Sequence, residues 1–395
     1  MTLFKLAIRN MLGAGTKTWL NALVLSFSFV AIIWAQSLFK GMDEEASRSL
    51  TDIEYGGGQY WVEGYDPLDP FTIQDAHRPV EGVLRDLVDA GRAAPILVVQ
   101  GTIFPQGRMF SVLLKGIDPG QRILTLPTLC LEPSGGEIPA LIGTRAARMF
   151  GLAEGDTVTV RWRDVGGTFD AVDVVVAGGF SSTAQSADSG QVWLPLEELR
   201  RMTGAAGQAT LVVMEKGFSP STAGSGSLSG WAYKDLDFLL RDIREFIQMK
   251  TVGTSIFYVL LMSLAMLAVF NTQVLSIWRR RREIGTMIAM GLTRGRVIAL
   301  FTLEGSMLSF LAMLVGAVYG IPLLAYFAAH GWVLPSDQAD SFGLALGNTL
   351  YPIYSAGIIV GTALLVFLIT TVVSFLPTRR IAKLRPTEAI KGKLS

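Results

Sequence analysis

Few residues in this chain are arranged for covalent chemistry. Its two histidines, His77 and His330, lie far apart and in no ligand spacing, so no metal site is expected. Cys130 is the single cysteine, which excludes an intrachain disulfide and a cysteine-rich zinc site and leaves the redox compartment open. The string GAGTKT at Gly13–Thr18 lacks the G-x-x-x-x-G-K-[ST] spacing and follows no strand, so it is not read as a phosphate loop. With no nucleophile–base pair or metal constellation, an enzyme or receptor in its own right is disfavoured, and no nucleic-acid partner is expected.

The residues that stand out are electrostatic and mechanical. Arg279, Arg280, Arg281 and Arg282 follow directly on a long apolar run. Such a cluster cannot lie in hydrocarbon, so it anchors a short loop among the headgroups on the cytoplasmic side of a membrane. The loop continues as a short, mostly apolar helix, Glu283–Met290, ended by Gly291. Apolar residues placed there suit contact with a partner. Glu304, about two turns into the following apolar run, is a costly carboxylate that must be paired or functional. Asn271, Gln273 or an interfacial arginine are its candidate partners, and Asn21 is read in the same way.

The elements that position these residues follow from composition. Half the residues are hydrophobic and 17% are charged, which fits a membrane protein with a sizeable soluble part. Four windows are long and apolar enough to span a bilayer: Trp19–Phe39, Val252–Trp278, Val297–Ala329 and Pro352–Leu376. Pro322 suggests a kink or an extension in the third. Lysine and arginine cluster before the first window, between the second and third, and after the fourth, whereas Gly331–Tyr351 has neither. Both termini are therefore expected in the cytoplasm, with residues 40–250 on the far side.

Before the first span, Met1–Met11 reads as an interfacial amphipathic helix. Between the first and second spans the texture becomes short β-like runs: Gln59–Glu63, Pro95–Phe104, Arg108–Ile117, Thr157–Trp162, Val172–Gly178 and Thr210–Glu215. Helices are expected at Pro79–Ala90, Gly143–Phe150 and Leu196–Thr203. The piece Ile138–Trp162 reads as strand, short helix with Thr144 as a plausible N-cap, glycine stop, turn and strand, as in a small β-barrel. Pro220–Gly230 reads as a flexible linker. Trp231–Lys250 reads as an amphipathic stalk helix entering the second span. Gly316-x-x-x-Gly320 and Gly357-x-x-x-Gly361 allow close helix packing, between spans three and four or between subunits.

The expected fold class is thus an integral membrane protein of four transmembrane helices, with a large α+β extracytoplasmic domain inserted between helices 1 and 2. In order, the segments are an interfacial helix (1–17), helix 1 (18–39), the α+β domain (40–230), the stalk (231–250), helix 2 (251–278), a cytoplasmic loop (279–296), helix 3 (297–329), a short connection (330–351), helix 4 (352–376) and a tail (377–395).

Several separated motifs resemble the MacB/FtsX-type permeases of ABC transporters, which include the lipoprotein-releasing LolC/LolE subunits. They are LAIRN (Leu6–Asn10), the piece Ala140–Val160, RREIGTMIAMG (Arg281–Gly291) followed by FTLEG (Phe301–Gly305), and PTRRIAKLRPTEAI (Pro377–Ile390). The resemblance implies a bacterial inner-membrane subunit with a periplasmic domain. It implies a coupling helix, carried here by Glu283, Ile284, Gly285, Thr286, Met287, Met290, Gly291 and Leu292, that docks on a separate dimeric ATPase. ATP and magnesium would be bound by that partner and no cofactor by this chain. Thr286-Met287-Ile288 stands where the family commonly has basic residues. The resemblance further implies a second copy or a homologous permease, a periplasmic carrier or adaptor, and membrane lipid as partners. The expected work is ATP-driven extraction or export of lipoproteins or other amphiphiles. The alternative is an FtsX-like regulator that signals to a periplasmic enzyme and moves no cargo.

Overall fold

The computed structural model describes residues 16–133, 136–182, 188–220, 228–333 and 349–379. Nearly all of the expected interfacial helix, half of the Gly13–Thr18 string, the centre of the Pro220–Gly230 linker, most of the 330–351 connection and the tail beyond Arg379 lie outside them. The described residues form two compact units, one within residues 43–246, the other within residues 16–42, 247–333 and 349–379.

Ten helices are named in chain order: α1 (Thr16–Leu50), α2 (Pro70–Asp75), α3 (Val83–Asp89), α4 (Thr144–Phe150), α5 (Leu196–Thr203), α6 (Leu236–Leu239), α7 (Arg241–Arg279), α8 (Arg281–Ala289), α9 (Arg294–His330) and α10 (Ala356–Thr378). Among the described residues, four helices are long and apolar enough to cross a membrane: α1 with the turn that follows it, α7, α9 and α10.

In the helical unit, close packing rests on small residues. A Cβ added at Gly320 would lie 2.8 Å from the Val30 side chain, so α9 uses Gly316 and Gly320 to approach α1. The two glycine pairs do not pack on each other as expected between the third and fourth helices, because nothing lies within 4 Å of a Cβ at Gly361; the alternative, packing between subunits, stays open for that pair. Gly305, whose packing role the sequence did not announce, sits where α7, α9 and α10 meet: a Cβ there would lie 2.2 Å from Ser374 Oγ and 2.7 Å from Gln273 Nε2. Leu25, Phe29, Tyr258, Met266, Ala312 and Val366 belong to the core that joins all four long helices. Pro322 lies inside α9, which continues past it to His330.

The β-rich unit carries strands β1 (Gln59–Val62), β2 (Arg78–Pro79), β3 (Ala93–Ile103), β4 (Phe110–Ile117), β5 (Ile138–Gly143), β6 (Thr157–Arg163), β7 (Phe169–Phe180), β8 (Gln191–Pro195), β9 (Gln208–Ala209), β10 (Leu211–Met214) and β11 (Trp231–Lys234). A further pair, β12 (Trp332–Val333) and β13 (Thr349–Leu350), joins the ends of the connection after α9. The large sheet runs β11-β1-β10-β3-β4-β8-β5-β7-β6, and β6 also pairs with β3. Six strands therefore close into a barrel, with β10, β1 and β11 as an open extension. The length of β3 makes this possible: Ala93–Ile96 pair with β10, while Gly101–Ile103 pair with β6 along the same edge. Residues at every second position, Val112 and Leu114, Val158 and Val160, Val192 and Leu194, fill the barrel core. A second core contains Ile96, Leu141, Trp193 and Val213.

Several sequence expectations are corrected by local physics. The first long helix does not end at Phe39 but runs to Leu50, because Met42, Ala46 and Leu50 keep a buried stripe at four-residue spacing. The stalk helix does not begin at Trp231. Residues Trp231–Lys234, with two aromatic side chains, form β11 against β1, and the Asp235 side chain accepts from Phe238 N to start α6. The fourth long helix starts after Ser355, whose hydroxyl accepts from Ile358 N, rather than at Pro352. Thr144 is not an N-cap: Asp188 Oδ1 accepts from Arg145 N at the start of α4, and the Thr144 hydroxyl donates to Phe180 O.

Candidate functional site

The site is built where α7 breaks. Arg280 has φ −94° and ψ 11°, which ends α7 and turns the chain into α8. Two backbone bonds hold the turn, Arg280 N to Ser276 O at 3.1 Å and Ile284 N to Arg280 O at 2.9 Å. The Arg280 guanidinium donates through Nε to Glu283 Oε2 at 2.9 Å and through Nη1 to Glu304 Oε2 at 3.1 Å. It also lies over the Phe301 ring, 5.1 Å from its centroid. One planar side chain thus ties α7, α8 and α9 together, a task suited to arginine's fixed fork of donors.

Beneath this bracket sits an apolar seat. Ile284 is fully buried with Ile277 of α7 and Val297 and Phe301 of α9, and Met287, Ile288 and Leu292 pack around them. Gly285 is buried beside Ile284. At the far end Gly291 takes φ 98°, a conformation open to glycine, and Leu292 N donates to Met287 O at 3.0 Å. The outward face comprises Arg282, Glu283, Thr286, Ala289 and Met290, the last 79% exposed. The Thr286 hydroxyl donates to Glu283 O at 2.8 Å, so its methyl is free to face outward.

The predicted residues therefore divide. Ile284, Gly285, Met287 and Leu292 are turned toward the chain's own helices, which corrects the expectation that Gly285 and Ile284 offer themselves to a partner. Glu283, Thr286, Met290 and Gly291 lie outside. Arg279 and Arg282 are exposed and Arg281 is half-buried, whereas Arg280 is engaged internally and is not a headgroup anchor. Glu304 finds its partner in Arg280, and Asn271 lies exposed on α7. Ile277, Val297 and Phe301 went unmarked, although the four-residue spacing of Val297 and Phe301 is the signal of one helix face. Among the described residues no group of three or more His, Cys, Asp or Glu is placed to hold a metal.

A family model described as the FtsX-like permease C-terminal domain matches residues 255–386. An uncharacterized ABC transporter permease of Methanocaldococcus jannaschii is 31% identical over 31% of this chain and 28% of its own length. The macrolide export ATP-binding/permease protein MacB of Psychrobacter cryohalolentis is 28% identical over 54% of this chain and 31% of its own length. The uncharacterized ABC transporter permease YknZ of Bacillus subtilis is 30% identical over 32% of this chain and 27% of its own. The matched stretches thus span less than a third of these relatives. The extracellular domain of a YknZ transporter from Gram-positive bacteria aligns with 48% of this chain at 15% identity and a TM-score of 0.28, too low a likeness to assign a fold. Residues 255–386 thus match the FtsX-like permease C-terminal domain, and parts of the chain are homologous to the MacB and YknZ permeases.

Proposed function

We propose that this chain is the non-catalytic membrane subunit of an ABC transporter, worked by a separate dimeric ATPase that binds ATP and magnesium and docks on α8. The observation that carries the proposal is the construction of α8 itself. It is a short helix between two apolar helices, bolted to both by Arg280 and by the Ile284 seat, with a separate outward face. A passive loop needs no such bracing, whereas a lever must not fold under load.

In this reading the termini and α8 are cytoplasmic, and the β-rich unit lies outside the inner membrane, inserted between the first two spans. A push on α8 travels along α7, one unbroken helix of 39 residues, toward β11. Four spans are few for a transport pathway, so a second copy or a homologous permease completes it. The barrel unit then acts on lipoproteins or other amphiphiles, directly or through a periplasmic carrier.

The test uses the outward face, since substitutions at buried Gly285 would disturb the fold. Thr286→Asp combined with Met290→Asp should weaken co-purification of the co-encoded ATPase by more than about tenfold. The thermal midpoint of the membrane subunit should not move. Undiminished co-purification would remove α8 as the docking element.

A further inference from the structure

We propose that a cavity at the shared end of α1, α7 and α9 binds the phosphate of an anionic phospholipid headgroup. The proposal rests on the reading of these helices as membrane spans. The cavity, about 160 Å³, lies wholly within the helical unit. Its walls include Thr18 and Asn21 of α1, Thr272, Ser276 and Arg279 of α7, and Glu304 of α9. These come from the first turns of α1, the last turns of α7 and the early turns of α9, the depth at which hydrocarbon gives way to headgroups.

The balance of charge favours an anion. The single carboxylate, Glu304, is engaged by Arg280, which also holds Glu283. Arg279 lines the same cavity, is exposed, and forms no ion pair among the described residues. The hydroxyls add donors. Asn21 Nδ2 donates to Thr272 Oγ1 at 2.5 Å, and the Thr272 hydroxyl proton has no acceptor among the described residues. A cationic pocket between helices at the cytoplasmic face is the setting in which acidic lipid headgroups are held.

The adjoining surface fits the rest of a lipid. Leu264, Leu267, Leu275 and Trp278 are 65%, 56%, 51% and 57% exposed. Their spacing places them on one face of α7, beside the face that carries Thr272 and Arg279 two turns apart. A headgroup seated on Arg279 would lay its acyl chains along this stripe.

The experiment is native mass spectrometry of the delipidated full chain in detergent, titrated with phosphatidylglycerol and with phosphatidylcholine. Phosphatidylglycerol should be retained about tenfold more strongly, the scale of a charge-assisted hydrogen bond. Arg279→Ala should abolish the preference and Arg279→Lys should keep part of it. Arg296→Ala, an exposed arginine outside the cavity, should leave it intact. Equal loss in the Arg279 and Arg296 variants would assign the effect to diffuse surface charge and overturn the proposal. Displacement of the lipid by millimolar inorganic phosphate would make the cavity a free-anion site, which also overturns it. Failure of the membrane reading is a separate outcome: the full chain would stay in solution without detergent.

Discussion

Arg280 and Glu304 form the most consequential pair in the helical unit. Their side chains are 24% and 11% exposed, so removing one charge takes a charge-assisted contact from the other in a poorly solvated place. Arg280→Met should destabilise the chain by roughly 2 kcal/mol, the scale of a hydrogen bond between charged groups. Adding Glu304→Met should cost less than the sum of the two single changes. Thermal unfolding in detergent reads both, and an additive double variant would contradict the pairing. In the β-rich unit Asp188 makes a different prediction. Burial pushes its carboxyl above the usual carboxylate range, against the Arg145 backbone bond and the Arg145 charge, which pull it down. The folded state therefore holds this proton more tightly than the unfolded chain. The stability it contributes is full below the ordinary carboxylate pKa and is lost as pH rises through the raised folded value. Asp188→Asn should match the natural chain at about pH 4 and unfold at a higher temperature than it near pH 7. A thermal midpoint that does not diverge with pH would refute this.

The helices and strands show what local pattern reveals and what it hides. The arginine run, the short helix and Gly291 were legible because charge, apolar spacing and a stop residue coincide within a few positions. Which arginine turns inward was not legible, since a break at one residue, Arg280, sets the direction of its side chain. The strand Gln191–Pro195 escaped notice because all five residues are buried, so no polar alternation marks it. Trp231–Lys234 was read as helix because the apolar period beginning at Leu236 was carried back too far. The two glycine pairs of like spacing also parted, and this is testable. Gly320→Leu drives a side chain into Val30 and should cost several degrees of thermal midpoint, whereas Gly361→Leu meets open space and should leave the single chain's midpoint unchanged. Equal effects would show that α9 does not rely on Gly320 to reach α1.

At the scale of the molecule, the two units and the four long apolar helices followed from composition and lysine–arginine placement. A small barrel was expected from Ile138–Trp162, but its closure was not legible, because it depends on β3 meeting β6 across distant sequence. Orientation can be tested with a native probe. Cys130 is the single cysteine of the chain and is exposed in the β-rich unit. A membrane-impermeant maleimide should label it from outside cells whose outer layer is permeabilised. Labelling only after lysis would reverse the proposed orientation.

The order of synthesis gives the open extension of the sheet a history of its own. Strand β1 ends at Val62, and both of its partners begin far later, at Leu211 and Trp231. The barrel strands all lie between them, so the barrel can close while β1 still waits with both edges bare. During that interval the nascent chain is most exposed to mispairing and to proteases. The wait ends when β11 emerges, and the short α6 and then α7 follow directly. Completion of the sheet is thereby timed to the arrival of the second long helix.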